Sequence, residues 1–220
     1  MKLGCRVHGL LFLFSITATS LRAGSPIAPS TKQTVTEAGY YQDNYFEFSF
    51  SFPTSWTVVE KTSLNQFQAA GGDVLKNEGI LKPNVVKADQ QNTTNLLKIE
   101  NRRDSSTGYV PSIVIVAERL HDGAPFKNAE GYVAHTANLL LRIHSPKYSV
   151  VTPTSKVLVG GKEFFRIGIK SDVPEQTVQQ FFYGSLIKGF AVSITVSAGD
   201  IDQLKRTDRV LAELRFADPK

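Results

Sequence analysis

Residues Asn44 to Val59 read N-Y-F-E-F-S-F-S-F-P-T-S-W-T-V-V, and their spacing decides the architecture. Phe46, Phe48, Phe50 and Phe52 recur at every second position, with Glu47, Ser49 and Ser51 between them. Successive side chains on a strand point to opposite faces, so the four rings line one side and the polar residues the other. Pro53 cannot donate to a sheet ladder and ends the strand. Thr54 and Ser55 turn the chain, and Trp56-Thr57-Val58-Val59 is expected to return as the hairpin partner. Four rings on one face need a large apolar layer opposite them.

Upstream, Lys2, Arg6 and His8 precede the apolar run Leu10–Ile16, which is too short to span a bilayer, and small residues follow. This is the pattern of an export signal over 1–23, with cleavage after Ser20 or Ala23. The protein is therefore expected to be exported, periplasmic or extracellular, with no stable membrane anchor after cleavage. Residues 24–42 are small, polar and proline-bearing, the composition of a flexible leader. Cys5, the single cysteine, falls in the signal, which leaves no disulfide or thiol chemistry for the rest. Of 25 basic residues the signal holds Lys2, Arg6 and Arg22, so 22 remain against 20 acidic. That balance gives no support to nucleic-acid binding.

Downstream of Trp56, Ser63 and Gln66 have capping-box spacing and open a short helix that Gly71-Gly72 should end. From Gly71 to Asn95 the pattern dissolves into an expected irregular excursion. Leu96–Ile99 and Pro111–Glu118 read as strands, the second apolar enough to be buried on both faces. Asn128 to Ile143 is the main helix, with Ala129, Val133, Ala137, Leu140 and Ile143 on one stripe. Hairpins are expected across Gly160-Gly161, with Lys162–Lys170 as the second strand, and across Lys188-Gly189. Val192, Ile194 and Val196 alternate with Ser193, Thr195 and Ser197, as in a half-buried strand. Asp200 caps a closing helix with Ile201, Leu204, Leu211 and Leu214 inward and Val210 beside them. The order is α+β, a mainly antiparallel sheet sandwiched by helices, in one domain over 43–217.

The motifs F-S-F-S-F-P-T-S-W, P-S-I-V-I-V-A-E-R-L and K-G-F-A-V-S-I-T-V-S-A, with the helix from Asn128 and the closing helix, resemble the PsbP/Mog1-like fold family. The likeness is to its secreted bacterial members and covers about 43–217. It implies a three-layer α/β/α sandwich, no catalytic site, and an accessory or partner-binding role. No functional motif of a family member is legible, so no binding residue is carried over.

Candidate chemistry is sparse. His135 and His144 are nine residues apart, half a turn off a common helix face, so they do not pair as metal ligands. His121-Asp122-Gly123 follows a strand and offers one element of an acid–base site, the basis of a weaker hydrolase reading. The residues present no nucleophile elbow and no zinc motif. No cofactor and no metal are expected. On the strand after Gly161, Lys162, Phe164, Arg166 and Lys170 share one face. A cationic stripe with an exposed Phe suits either a charge-protected edge strand or a docking face for an acidic partner. Arg102 and Arg103 in the preceding polar turn could extend that face. The leading expectation is a non-enzymatic, exported accessory protein that binds a protein partner in the cell envelope. The alternative is a small-molecule or ion-binding protein whose 71–95 loop closes over a pocket.

Overall fold

In the computed structural model, which describes residues 33–36, 39–120, 122–173 and 176–217, Phe46, Phe48, Phe50 and Phe52 all point inward, none more than 7% exposed. The alternation read from the sequence therefore holds. The expected signal over 1–23 lies outside the described residues, whereas part of the expected leader is strand. β1 (Gln33–Thr36) and β2 (Tyr40–Asp43) pair in antiparallel fashion, and β2 pairs with β3 (Phe48–Ser51). The fully buried Asp43 carboxylate fixes the β2–β3 turn by accepting the Tyr45 and Phe46 backbone N–H groups at 2.9 Å each.

The Trp56 segment does not return along the phenylalanine strand. Trp56 N–H closes a turn on the Pro53 carbonyl, and β4 (Thr57–Val58) then joins a second sheet by pairing with β5 (Thr93–Glu100). Proline ends the ladder, and the turn turns a corner between two sheets where a hairpin was expected. The second sheet is completed by β6 (Ser112–Arg119), β7 (Lys147–Val159), β8 (Lys162–Val173), β9 (Gln176–Ile187) and β10 (Phe190–Ala198). Its order is β4-β5-β6-β10-β9-β8-β7, with antiparallel neighbours throughout. β11 (Leu214–Phe216) pairs with β3 and completes the small sheet, β1-β2-β3-β11.

Four helices are described. α1 (Lys61–Asn77) does not stop at Gly71-Gly72 and has no side-chain cap hydrogen bond at its start. The capping box from Ser63 is therefore not used. Gly72 serves packing: a Cβ there would sit 2.6 Å from Val86 Cγ1 and 2.7 Å from Gln90 Nε2 of α2 (Pro83–Asn92). The expected excursion over 71–95 is thus mostly helix, with Pro83 opening α2 where its missing N–H costs nothing. α3 (Ala129–Leu141) starts as read, the Asn128 side chain accepting the Gly131 N–H at 2.7 Å. α4 (Ile201–Leu211) is capped by Asp200, which accepts the Gln203 N–H at 2.7 Å. Two inner-stripe assignments fail: Ile201 is exposed, and Leu214 lies on β11.

Two apolar clusters flank the large sheet. One joins Ile115, Ile194 and Tyr183 of the sheet to the phenylalanines of β3 and to Leu204 and Leu211 of α4. The other joins Ile167, Ile169 and Phe182 to Tyr132 and Val133 of α3, with Leu75 of α1 and Val86 of α2. β10 lies at the centre of the sheet order and is buried along its whole length. Ser193, Thr195 and Ser197 are therefore interior, not solvent-facing as expected, and Ser197 accepts the Gln180 amide at 2.8 Å. β8 is not an edge either. β7 begins ten residues earlier than the sequence suggested and covers it, carrying Pro153, Lys147 and Lys156 on the outermost strand.

Candidate functional site

The tip of the β9–β10 hairpin supplies the first half of a cleft. Lys188-Gly189 connects the strands with left-handed backbone at both residues, φ 53° and 79°, the conformation such two-residue turns require. Lys188 has a Cβ, so the conformation costs roughly 1–2 kcal/mol relative to the right-handed region. The second half is the entry to β3, where Glu47 is also left-handed at φ 54°. These are the two non-glycine residues with positive φ among the described residues. They meet: Lys188 Nζ lies 2.8 Å from Glu47 Oε2, donates to the Tyr45 carbonyl at 2.8 Å, and stands 5.7 Å from the Tyr45 ring centre. Strained backbone at a ligand-sized depression is a pointer to function.

The cleft has a volume of about 350 Å³ and is lined by Phe46, Glu47, Lys162, Glu163, Ser185 and Lys188, with Leu186 and Ile187 at its back. It is held open by strand register. Ser185 donates to the Glu163 carbonyl at 2.7 Å, locking β9 to β8. The Ala217 N–H reaches the Glu47 carbonyl at 2.7 Å, and the Phe216 N–H reaches the Gly160 carbonyl at 3.1 Å, tying β11 to both halves. Gly160 permits this approach, since a Cβ there would meet the Leu214 carbonyl oxygen at 2.8 Å. The charges do not cancel. Glu47 is matched by Lys188 and Glu163 by Lys156 at 2.7 Å. Lys162 makes no ion pair among the described residues, and its ammonium rests 5.5 Å from the Phe216 ring centre. One cation is left over in a depression with an apolar back wall.

Of the residues singled out from sequence, Lys162 alone lines this cleft. Phe164 is 0% exposed, because β11 covers that face and brings Phe216 to 6.0 Å between ring centres. The exposed phenylalanine expected there is therefore core. Arg166 stacks 4.8 Å from the Phe181 ring centre and faces Tyr183 and Asp208. Lys170 pairs with Asp172 at 3.1 Å and holds that carboxyl below its usual range. Arg102 pairs with Glu100 at 3.3 Å after β5, and Arg103 is exposed beside it; three strands separate β5 from β8. The predicted stripe is not one continuous surface.

Beneath α4, the Tyr183 hydroxyl donates to Asp208 in a short hydrogen bond. Burial pushes the Asp208 carboxyl up, against the pull of Tyr183 and Arg166, and burial with the Asp208 charge pushes the Tyr183 phenol far above its usual range. These groups stitch α4 to the sheet. Gln203, fully buried, accepts from Thr107 at 3.0 Å and donates to the Asp104 carbonyl at 2.6 Å, fastening the β5–β6 turn to the same helix.

The histidines form no site. His144 pairs with Glu78 at 2.9 Å, His135 packs its ring 6.0 Å from Phe126, and His121 lies outside the described residues. Asp122 is exposed. Among the described residues, no group of three or more His, Cys, Asp or Glu is placed to hold a metal ion, and no helix is long and apolar enough to cross a membrane. Sequence reasoning missed Glu47 and Lys188. The Lys188-Gly189 turn was visible; its ion-pair partner was not.

No protein-family model matches the chain, and no curated protein sequence matches it. Solved structures do. The solution structure of cyanobacterial PsbP (CyanoP) from Synechocystis sp. PCC 6803 aligns at TM-score 0.51 with 8% identity, over 90% of this chain and 99% of that one. LpqN of Mycobacterium tuberculosis, involved in cell envelope biogenesis, aligns at TM-score 0.43 with 13% identity, over 78% of this chain and 83% of its own. A protein of Bacteroides thetaiotaomicron aligns at TM-score 0.43 with 12% identity, over 83% of this chain and 50% of its own. The agreement with PsbP in element order and near-complete mutual coverage is one of fold, and the chain has a PsbP-like α+β fold built on a seven-stranded antiparallel sheet.

Proposed function

We propose that this chain is an exported, non-enzymatic accessory protein that binds a protein partner in the cell envelope, taking an acidic side chain of that partner into the cleft between its two sheets. The observation that carries the reading is Lys162. It is the cation left over when the cleft's other charges are paired, set beside an apolar back wall, where the two left-handed non-glycine residues meet. An unmatched cation on a partly apolar depression is complementary to a carboxylate, and such charges govern encounter and register more than raw affinity. The apolar signal-like run and the PsbP-like fold support export and an accessory role. The two apolar clusters on opposite faces of the large sheet support the finer architecture, helices α1 to α3 on one side and α4 with the small sheet on the other, as a three-layer sandwich.

Carbodiimide joins an amine directly to a carboxylate that touches it, and so tests chemistry and place together. The purified protein, incubated with its native envelope fraction, is expected to yield a zero-length crosslink from Lys162 to an Asp or Glu of one partner protein. That crosslink should vanish in Lys162→Gln while crosslinks elsewhere persist. Crosslinks confined to other lysines would overturn the reading, as would capture of anionic lipid or glycan alone.

A further inference from the structure

The Glu47–Lys188 pair has a second consequence, which rests on the docking reading above. Both side chains are about half exposed, 58% and 42%, so the pair is weak and exchangeable, within the small range measured for solvent-exposed ion pairs. Yet it sits inside the cleft, on the same wall as Lys162. A carboxylate that enters to meet Lys162 comes close to the negative charge of Glu47, and like charges in a depression of this size repel. Lys188 keeps its other support throughout, since the Tyr45 carbonyl and the Tyr45 ring hold its ammonium in place independently of Glu47. Glu47 is the movable member, on a backbone that already stands in an unfavourable region.

We propose that the Glu47 carboxylate is an internal stand-in for the partner's carboxylate: it occupies Lys188 in the free protein and is displaced when the partner binds, so that Lys162 and Lys188 together hold the incoming acid. Binding is then an exchange of one carboxylate for another. The resident pair sets a threshold that an acidic segment passes and a neutral one does not.

The test is a fluorescence-anisotropy titration of a labelled hexaglutamate peptide into the purified protein. Lys162→Gln is expected to weaken binding about three- to tenfold, which reports the docking reading itself. Glu47→Gln, which removes the competing charge and keeps the side-chain shape, is expected to tighten binding about two- to fivefold, the range of an exposed ion pair. Glu47→Gly, free to adopt φ 54° without strain, should tighten it equally. The gain should disappear in Glu47→Gln combined with Lys188→Gln. Unchanged or weaker binding in both Glu47 variants, with Lys162→Gln still deleterious, would overturn the stand-in and leave the docking reading intact. Unchanged binding in Lys162→Gln would overturn the docking reading.

Discussion

Asp208 carries its charge under α4, where burial lifts its carboxyl above the ordinary value of 3.8. The folded state therefore binds that proton more tightly than the unfolded chain does. The group favours folding at low pH, and its contribution is lost as pH rises from 3.8 through the raised value. Asp208→Asn keeps an acceptor for the Tyr183 hydroxyl and removes the buried charge. Thermal melts across that window should show a shallower fall in Tm for the variant than for the native protein. An identical slope would mean that Asp208 is solvated. Glu47 gives a second test at this scale. Glu47→Val forces a β-branched side chain into left-handed backbone and should cost about 1–2 kcal/mol in urea melts, whereas Glu47→Gly should leave stability within about 1 kcal/mol. Local chemistry of this kind was partly legible. Asn128 and Asp200 were read as caps, and both accept the N–H three residues on. The Lys188-Gly189 turn was likewise visible. Glu47 was not: it is the polar residue between two phenylalanines, and its partner lies on a hairpin more than a hundred residues away.

At the scale of elements, glycine misled. Gly71-Gly72 is a stop signal by propensity, yet α1 runs through it because tertiary packing outweighs the roughly 1 kcal/mol that a helical glycine costs. Propensity alone predicts that Gly72→Ala stabilises the protein. The contact with Val86 predicts the reverse, because Val86 is short, branched and buried, and a Cβ at 2.6 Å must displace it. Equilibrium urea unfolding should show Gly72→Ala less stable by about 1–3 kcal/mol. β11 presents the opposite case. Leu214 followed a helical stripe and was assigned to it, but α4 ends at Leu211 and the chain turns back to pair with Phe50 across the molecule. Leu214→Ala should cost about 2–5 kcal/mol, as expected for a residue 1% exposed, and should loosen the cleft wall formed with Gly160. An effect under about 0.5 kcal/mol would show that the small sheet is not part of the core.

For the whole molecule, period-2 and period-3.6 patterns gave the antiparallel character, the long helix and most strand pairs. They could not give strand order, because β6 meets β10 only through pairing of residues far apart in sequence. The same limit hid the candidate site. Its residues come from the entry to β3, the start of β8 and the β9–β10 tip, and no window of sequence contains more than one of these. The stripe on β8 was read correctly as one face of a strand. Its exposure was misjudged, because the small sheet that covers Phe164 and recruits Arg166 inward is assembled from both ends of the described chain. What survives of that stripe is Lys162, the one member with an unmatched charge at a cleft. The central claim is that this cation and a partner's carboxylate recognise each other. A charge swap tests it most directly. Lys162→Glu should abolish capture of the crosslinked partner, and reversing the partner's crosslinked acid to Lys should restore it. Loss without restoration, or no loss at all, would contradict the account.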